Sequence, residues 1–113
     1  MGWRKILDEY TGGATNTDRV YVGGRGKVSY VVEGVQSGVA TPKSVQSVPD
    51  GAGGFQEEVA DIILISPTTG SGVKITASVT GSLTVPCPGE WFYIAFGTGT
   101  YTGLNVWAED PTV

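Results

Sequence analysis

Between Gly72 and Gly81 apolar and polar side chains alternate without a break, with Val73, Ile75, Ala77 and Val79 set against Lys74, Thr76, Ser78 and Thr80. Alternation with a period of two is the mark of a β-strand with one dry and one wet face. Related stretches run from Val20 to Val32, Ile62 to Ile65, Leu83 to Val85, Trp91 to Phe96 and Leu104 to Ala108, each bounded by Gly, Pro, Asn or Asp. The pattern predicts strands over 19–23, 27–33, 43–48, 61–66, 72–79, 82–86, 90–96 and 103–109. Eight short strands with turn residues between them suit an all-β chain, a single antiparallel β-sandwich of jelly-roll or immunoglobulin-like type. Gly23-Gly24-Arg25-Gly26 is expected to turn a hairpin between the first two strands, and Thr80-Gly81 another between the fifth and sixth. Pro49 to Glu58, with Pro-Asp-Gly-Ala-Gly-Gly at its start, is expected to be a surface loop.

The first residues follow a different period. Trp3, Ile6, Leu7 and Tyr10 fall at the i, i+3, i+4, i+7 spacing of one helical face, with Arg4, Lys5, Asp8 and Glu9 on the other. This predicts two turns of amphipathic helix, too short to stand alone in water and therefore in need of a surface. Thr11 to Thr17 is small and polar, a tether. The expected division is an arm and tether over residues 1–17 and a β-sandwich over 18–113. Trp3, Ile6, Leu7 and Tyr10 are then the docking residues of the arm. Trp91-Phe92-Tyr93-Ile94-Ala95-Phe96 is bulky on both faces, so one face belongs to the core and the other needs a cover: the arm, a loop or a neighbouring subunit. Phe92, Ile94 and Phe96 join the expected interface on that ground.

Composition narrows the possible functions. With 113 residues, 40% hydrophobic and 16% charged, the chain fits one domain, and its 18 Gly and 6 Pro fit short strands and tight turns. A net charge of −4, with only seven scattered basic residues, disfavours nucleic acid and anionic membranes as partners. No apolar run is long enough for a signal peptide or a membrane span, so synthesis and retention in a cytoplasm, or export as part of something larger, is expected.

The residues offer little catalytic chemistry. Histidine is absent, which removes Ser-His-Asp and Cys-His arrangements and the commonest base near neutral pH. Cys87, the only cysteine, lies between two prolines with no basic neighbour to lower its pKa, and reads as a packed thiol. Asp8/Glu9, Glu57/Glu58 with Asp61, and Glu109/Asp110 are paired carboxylates of the type glycosidases use, but neighbours on a strand point to opposite faces, and an acidic solvated surface is the better explanation of them. They match no calcium-loop pattern. Gly23 to Lys27 lacks the spacing of a phosphate loop. No catalytic, metal or cofactor residue is assigned. Tyr101, Asn105 and Trp107 are candidates for a face that stacks on sugar rings, or else for an edge of the sandwich rim.

Four segments, Arg19 to Val28, Ser47-Val48-Pro49-Asp50-Gly51, Pro88-Gly89-Glu90-Trp91-Phe92-Tyr93 and Gly103-Leu104-Asn105-Val106-Trp107, together resemble small virion structural proteins of tailed bacteriophages. The likeness spans about residues 19–109 and departs from the usual pattern after Gly38, where Gly38-Val39-Ala40-Thr41-Pro42-Lys43 stands in place of a Gly-Ala-x-Val-x-Leu strand. It implies a non-enzymatic part of a virus particle, a capsid decoration or head-fibre protein, homo-oligomeric, located in the virion and partnered by the major capsid or other virion proteins. It carries no catalytic residue across. The reading from another class is a carbohydrate-binding β-sandwich module using surface aromatics.

Overall fold

The computed structural model describes residues 2–65, 72–74 and 81–113. Among them are eleven strands and no helix: β1 (Gly2–Gly12), β2 (Thr15–Asn16), β3 (Val20–Tyr21), β4 (Gly26–Gln36), β5 (Ala40–Pro49), β6 (Phe55–Asp61), β7 (Ile63–Ile65), β8 (Gly72–Lys74), β9 (Gly81–Cys87), β10 (Trp91–Phe96) and β11 (Tyr101–Asp110). One antiparallel sheet has the order β1-β11-β4-β9, and a second has the order β2-β10-β5-β6 with β3 also on β10. β7 and β8 form a small ladder of their own.

The two sheets share one core. Alternation along β4 sends Val28, Tyr30 and Val32 inward, and along β11 it sends Leu104, Val106 and Ala108, while β10 answers with Phe92, Ile94 and Phe96. Tyr30 stacks on Phe92 with centroids 5.6 Å apart, and Phe96 meets Tyr101 edge-on at 5.4 Å, so aromatic pairs bridge the layers. β2 and β3 are two pieces of one interrupted edge along β10. Between them Thr17 keeps the ladder going: its N–H donates to the Ile94 carbonyl at 3.0 Å, and its hydroxyl oxygen accepts the Ile94 N–H at 2.9 Å.

The expected N-terminal helix is corrected here, because residues 2–12 form β1, hydrogen-bonded along β11. The helix-like spacing comes from bulges. Lys5 lies opposite Trp107 and Leu7 opposite Val106, so Ile6 is an extra residue, and a second extra residue falls between Leu7 and Tyr10. Each bulge inserts a residue without advancing the partner strand, stretching a period of two into spacings of three and four. Ile6 is thereby buried in the core, with Leu7 and Tyr10 packed against it.

Two further expectations change. Gly23 to Gly26 makes no hairpin, since β3 pairs with β10 and β4 with β9 and β11, and the glycines carry the chain from one sheet to the other. Gly23, Gly24 and Gly26 all have positive φ there, a conformation that costs glycine little. The stretch expected as a loop up to Glu58 contains most of β6, in continuous register with β5 from Lys43 opposite Asp61 to Pro49 opposite Phe55. Residues 75–80, including the expected Thr80 turn, lie outside the described residues.

Candidate interaction surfaces

Of the seven residues expected at an interface, the fold places four in its interior. Ile6 and Phe96 are 2% exposed and Phe92 and Ile94 not at all, so these four serve the core and offer no free surface. Leu7 and Tyr10 lean on that core, and only Trp3, 48% exposed, faces outward. The outward face of β10 is half-buried, flanked by side chains of the chain itself. Tyr21 meets Trp91 edge-on at 5.1 Å, and the Arg19 guanidinium lies 5.6 Å from the centre of the Tyr93 ring.

Tyr101 does not join Asn105 and Trp107 on one face. On a regular strand positions 101, 105 and 107 would point the same way. Between Thr102 and Asn105, however, β11 carries one residue more than β4, and Gly103 sits there at φ +57°. The bulge turns Tyr101 inward, where it is fully buried and its hydroxyl donates to the Gly97 carbonyl at 2.6 Å. Burial raises its pKa.

What the outer face of the first sheet does assemble is a groove of about 320 Å³ lined by Trp3, Val31, Glu33 and Trp107. Register builds it: Lys5, Trp107 and Val31 lie in one row across β1, β11 and β4, with Trp3 in the row beside Glu109 and Glu33 in the row beside Asn105. Residues directly opposite on antiparallel strands share a face, so these side chains converge. The Lys5 ammonium sits 5.1 Å from the centre of the Trp107 ring and 2.8 Å from Asp8 Oδ1. Trp3 escaped the sequence reading as a partner of Trp107 because a helical period assigned it to another element.

The second sheet presents a different surface. Val45 lies opposite both Trp91 and Val59, hence on the outer face, yet it is fully buried by the side chains around it. Tyr21 (44% exposed) and Val59 (45%) extend this apolar strip. Two ion pairs flank it, Arg19 Nη1 to Glu57 Oε2 at 2.6 Å and Lys43 to Asp61. The Arg19 hydrogen bond holds the Glu57 carboxyl below its ordinary pKa and raises that of Arg19.

Beyond the strip, β5 and β6 run on as a hairpin. Every residue from Phe55 to Ala60 is exposed, on both faces of the strand, and Phe55 reaches 75%. Among the described residues no strand pairs with the outer edge of β6. Asp50 clips the tip: its carboxylate accepts the N–H groups of Ala52 at 2.7 Å and Gly54 at 3.1 Å, which together lower its pKa. Nothing in the sequence distinguishes this hairpin from a loop, because Phe55, Glu57 and Val59 alternate with no buried face to mark them.

The carboxylates weighed for catalysis are dispersed. Asp8 pairs with Lys5, Glu9 with Asn105, Glu57 with Arg19, Asp61 with Lys43, and Asp110 with Thr112 and Arg4. Cys87 is buried, which pushes its thiol pKa up, 3.7 Å from the Ser44 hydroxyl oxygen. A second cavity, about 400 Å³, is lined by Gly26, Ser44, Ala60, Asp61, Ile62, Pro86 and Pro88. Comparison with known protein families, with characterised proteins and with solved structures finds no match to this chain.

Proposed function

We propose that the chain is a non-enzymatic structural protein of a virus particle, of the phage capsid-decoration or head-fibre type, and that it docks on other virion subunits through the β5–β6 hairpin. The observation that carries the reading is β6 itself: seven residues in regular register with β5, of which Phe55 to Ala60 are exposed on both faces, and unpaired along the outer edge among the described residues. An edge of this kind templates a strand from another chain unless something guards it. Among the described residues the guards on this strand are the charges of Glu58 and of Glu57, the latter ion-paired with Arg19, and these choose the partner. Two copies of β6 would oppose acidic side chains, whereas a strand carrying Lys or Arg at those positions would gain from them. The neighbouring strip of Tyr21, Trp91 and Val59, rimmed by the Arg19 and Lys43 ion pairs, has the apolar centre and polar border of a docking surface. The likeness of residues 19–109 to tailed-phage virion proteins supplies the setting, and the net charge of −4 disfavours nucleic acid as the partner.

The experiment is mass spectrometry of purified particles from the source material. A fixed ratio of this chain to a major coat protein is expected, together with loss of incorporation, but not of folding, for Glu57→Lys/Glu58→Lys. Complete absence from particles would overturn the reading.

A further inference from the structure

We propose that the groove between Trp3 and Trp107 binds one face of a neutral mono- or disaccharide. The groove lies on the first sheet and the β5–β6 hairpin on the second, so this inference and the docking reading stand or fall separately.

Two indole rings border the groove, Trp3 nearly half exposed and Trp107 half-buried, with Val31 between strands at its floor and the Glu33 carboxylate at its end. The groove runs diagonally across β1, β11 and β4, a width of about 10 Å at the usual strand spacing of ~4.8 Å. That dimension and its volume put it at the small end of ligand sites. All of its lining residues stand on paired strands rather than loops, so the platform is rigid before any ligand arrives.

The rim decides the chemistry of the occupant. Glu33 has no hydrogen bond or ion pair among the described residues, and so presents an acceptor with no partner of its own. Lys5, across Trp107, presents a donor. An organic cation would be attracted by Glu33 and the indole faces but would meet the Lys5 ammonium over the same ring. An anion would meet Glu33, and a purely apolar group would desolvate Glu33 without serving it. A sugar hydroxyl both donates and accepts, so one ring can donate to Glu33 and accept from Lys5. Its C–H face is electropositive, and the faces of Trp3 and Trp107 are electronegative.

Binding is read from the three tryptophan indole N–H signals of the ¹⁵N-labelled full chain. The titrants are methyl β-glucopyranoside, lactose, maltose, cellobiose and chitobiose, up to about 50 mM, well past a Kd of about 1 mM. Choline and glucuronate are the charged comparisons. Saturable shifts of Trp3 and Trp107 with at least one neutral sugar are expected, while Trp91, on the other sheet, stays still. Trp107→Ala should raise Kd at least tenfold. Trp3→Ala should do the same, and because Trp3 is so exposed this variant keeps its fold. Absence of saturation with every neutral sugar, equal movement of Trp91, or saturation with choline or glucuronate alone would overturn the proposal.

Discussion

Glu9 and Asn105 hold each other reciprocally: the Glu9 N–H donates to Asn105 Oδ1 at 2.8 Å, and Asn105 Nδ2 donates to Glu9 Oε1 at 3.1 Å. Glu9 has φ +46°, the only positive value among the described residues other than glycine, and it lies in the second bulge of β1. Asn105 therefore secures a backbone turn that the local sequence disfavours. Asn105→Ala should cost about 1–2 kcal/mol in urea denaturation and speed amide exchange over residues 8–12. Glu9→Gly should be close to neutral, because relief of the left-handed conformation, about 1 kcal/mol, offsets the lost side-chain bond. A destabilisation by Glu9→Gly as large as that of Asn105→Ala would show that strain is not what the pair secures.

The Tyr30 hydroxyl is buried with no hydrogen-bond partner among the described residues, and burial pushes its pKa up to about 12. Tyr30→Phe keeps the stack on Phe92 and removes an unsatisfied group, so it should stabilise the fold by about 1 kcal/mol. The phenol ionises more readily in the unfolded chain, ordinarily at ~10. Its contribution to stability is thus fully present below pH ~10 and is lost as the pH rises through about 12. Denaturation curves from pH 8 upward should show a steeper alkaline decline in the wild type than in Tyr30→Phe.

At the other end of the pH range Asp110 is the sensitive group. Its side chain is 5% exposed; Oδ1 accepts the Thr112 hydroxyl at 2.6 Å and the Thr112 N–H at 2.8 Å, and Oδ2 lies 3.7 Å from Arg4 Nη1. The Thr112 bonds, chiefly, hold its pKa below the ordinary value. The stabilisation is present above the unfolded pKa of ~3.9 and is lost as the pH falls through the lower folded value. Asp110→Ala should cost about 2 kcal/mol at pH 7. The gap between variant and wild type should close as acid protonates the native carboxylate, and a gap that stays constant down to pH 2 would refute this account.

Cys87 gives a probe of opening. Its thiol is fully buried and its pKa raised by burial, beside Ser44, whose hydroxyl oxygen accepts the Gly89 N–H at 2.8 Å. The reactive thiolate is therefore both scarce and shielded. An aromatic disulfide reagent should label the native chain at least a hundredfold more slowly than the urea-unfolded chain, with a rate that tracks stability across the variants above. Fast labelling without denaturant would mean that the end of the sandwich at Pro86 to Gly89 opens locally.

The inward faces of β4 and β11 were legible in the residues, because Val28/Tyr30/Val32 and Leu104/Val106/Ala108 each repeat every second position, and the pleat that sorts them is a property of a single strand. On β10, bulky on both faces, Phe92, Ile94 and Phe96 were expected at an interface and lie in the core instead. The all-β class follows from the same alternation. Pairing does not, since it depends on residues far apart in the chain. The Gly23–Gly26 turn crosses between sheets because β10, some 70 residues later, claims Val20 and Tyr21. Bulges hide the most. One at Ile6 made a strand look helical, and one at Gly103 separated Tyr101 from Trp107 while register brought Trp3 alongside. β6 was silent because neither of its faces is buried, and without a dry face a strand has no period to show. The sequence by itself thus determined which side chains a regular strand buries where its other face is largely polar; the tertiary structure alone decided which strands meet, and so which of two bulky faces lies inside and which surface aromatics stand together.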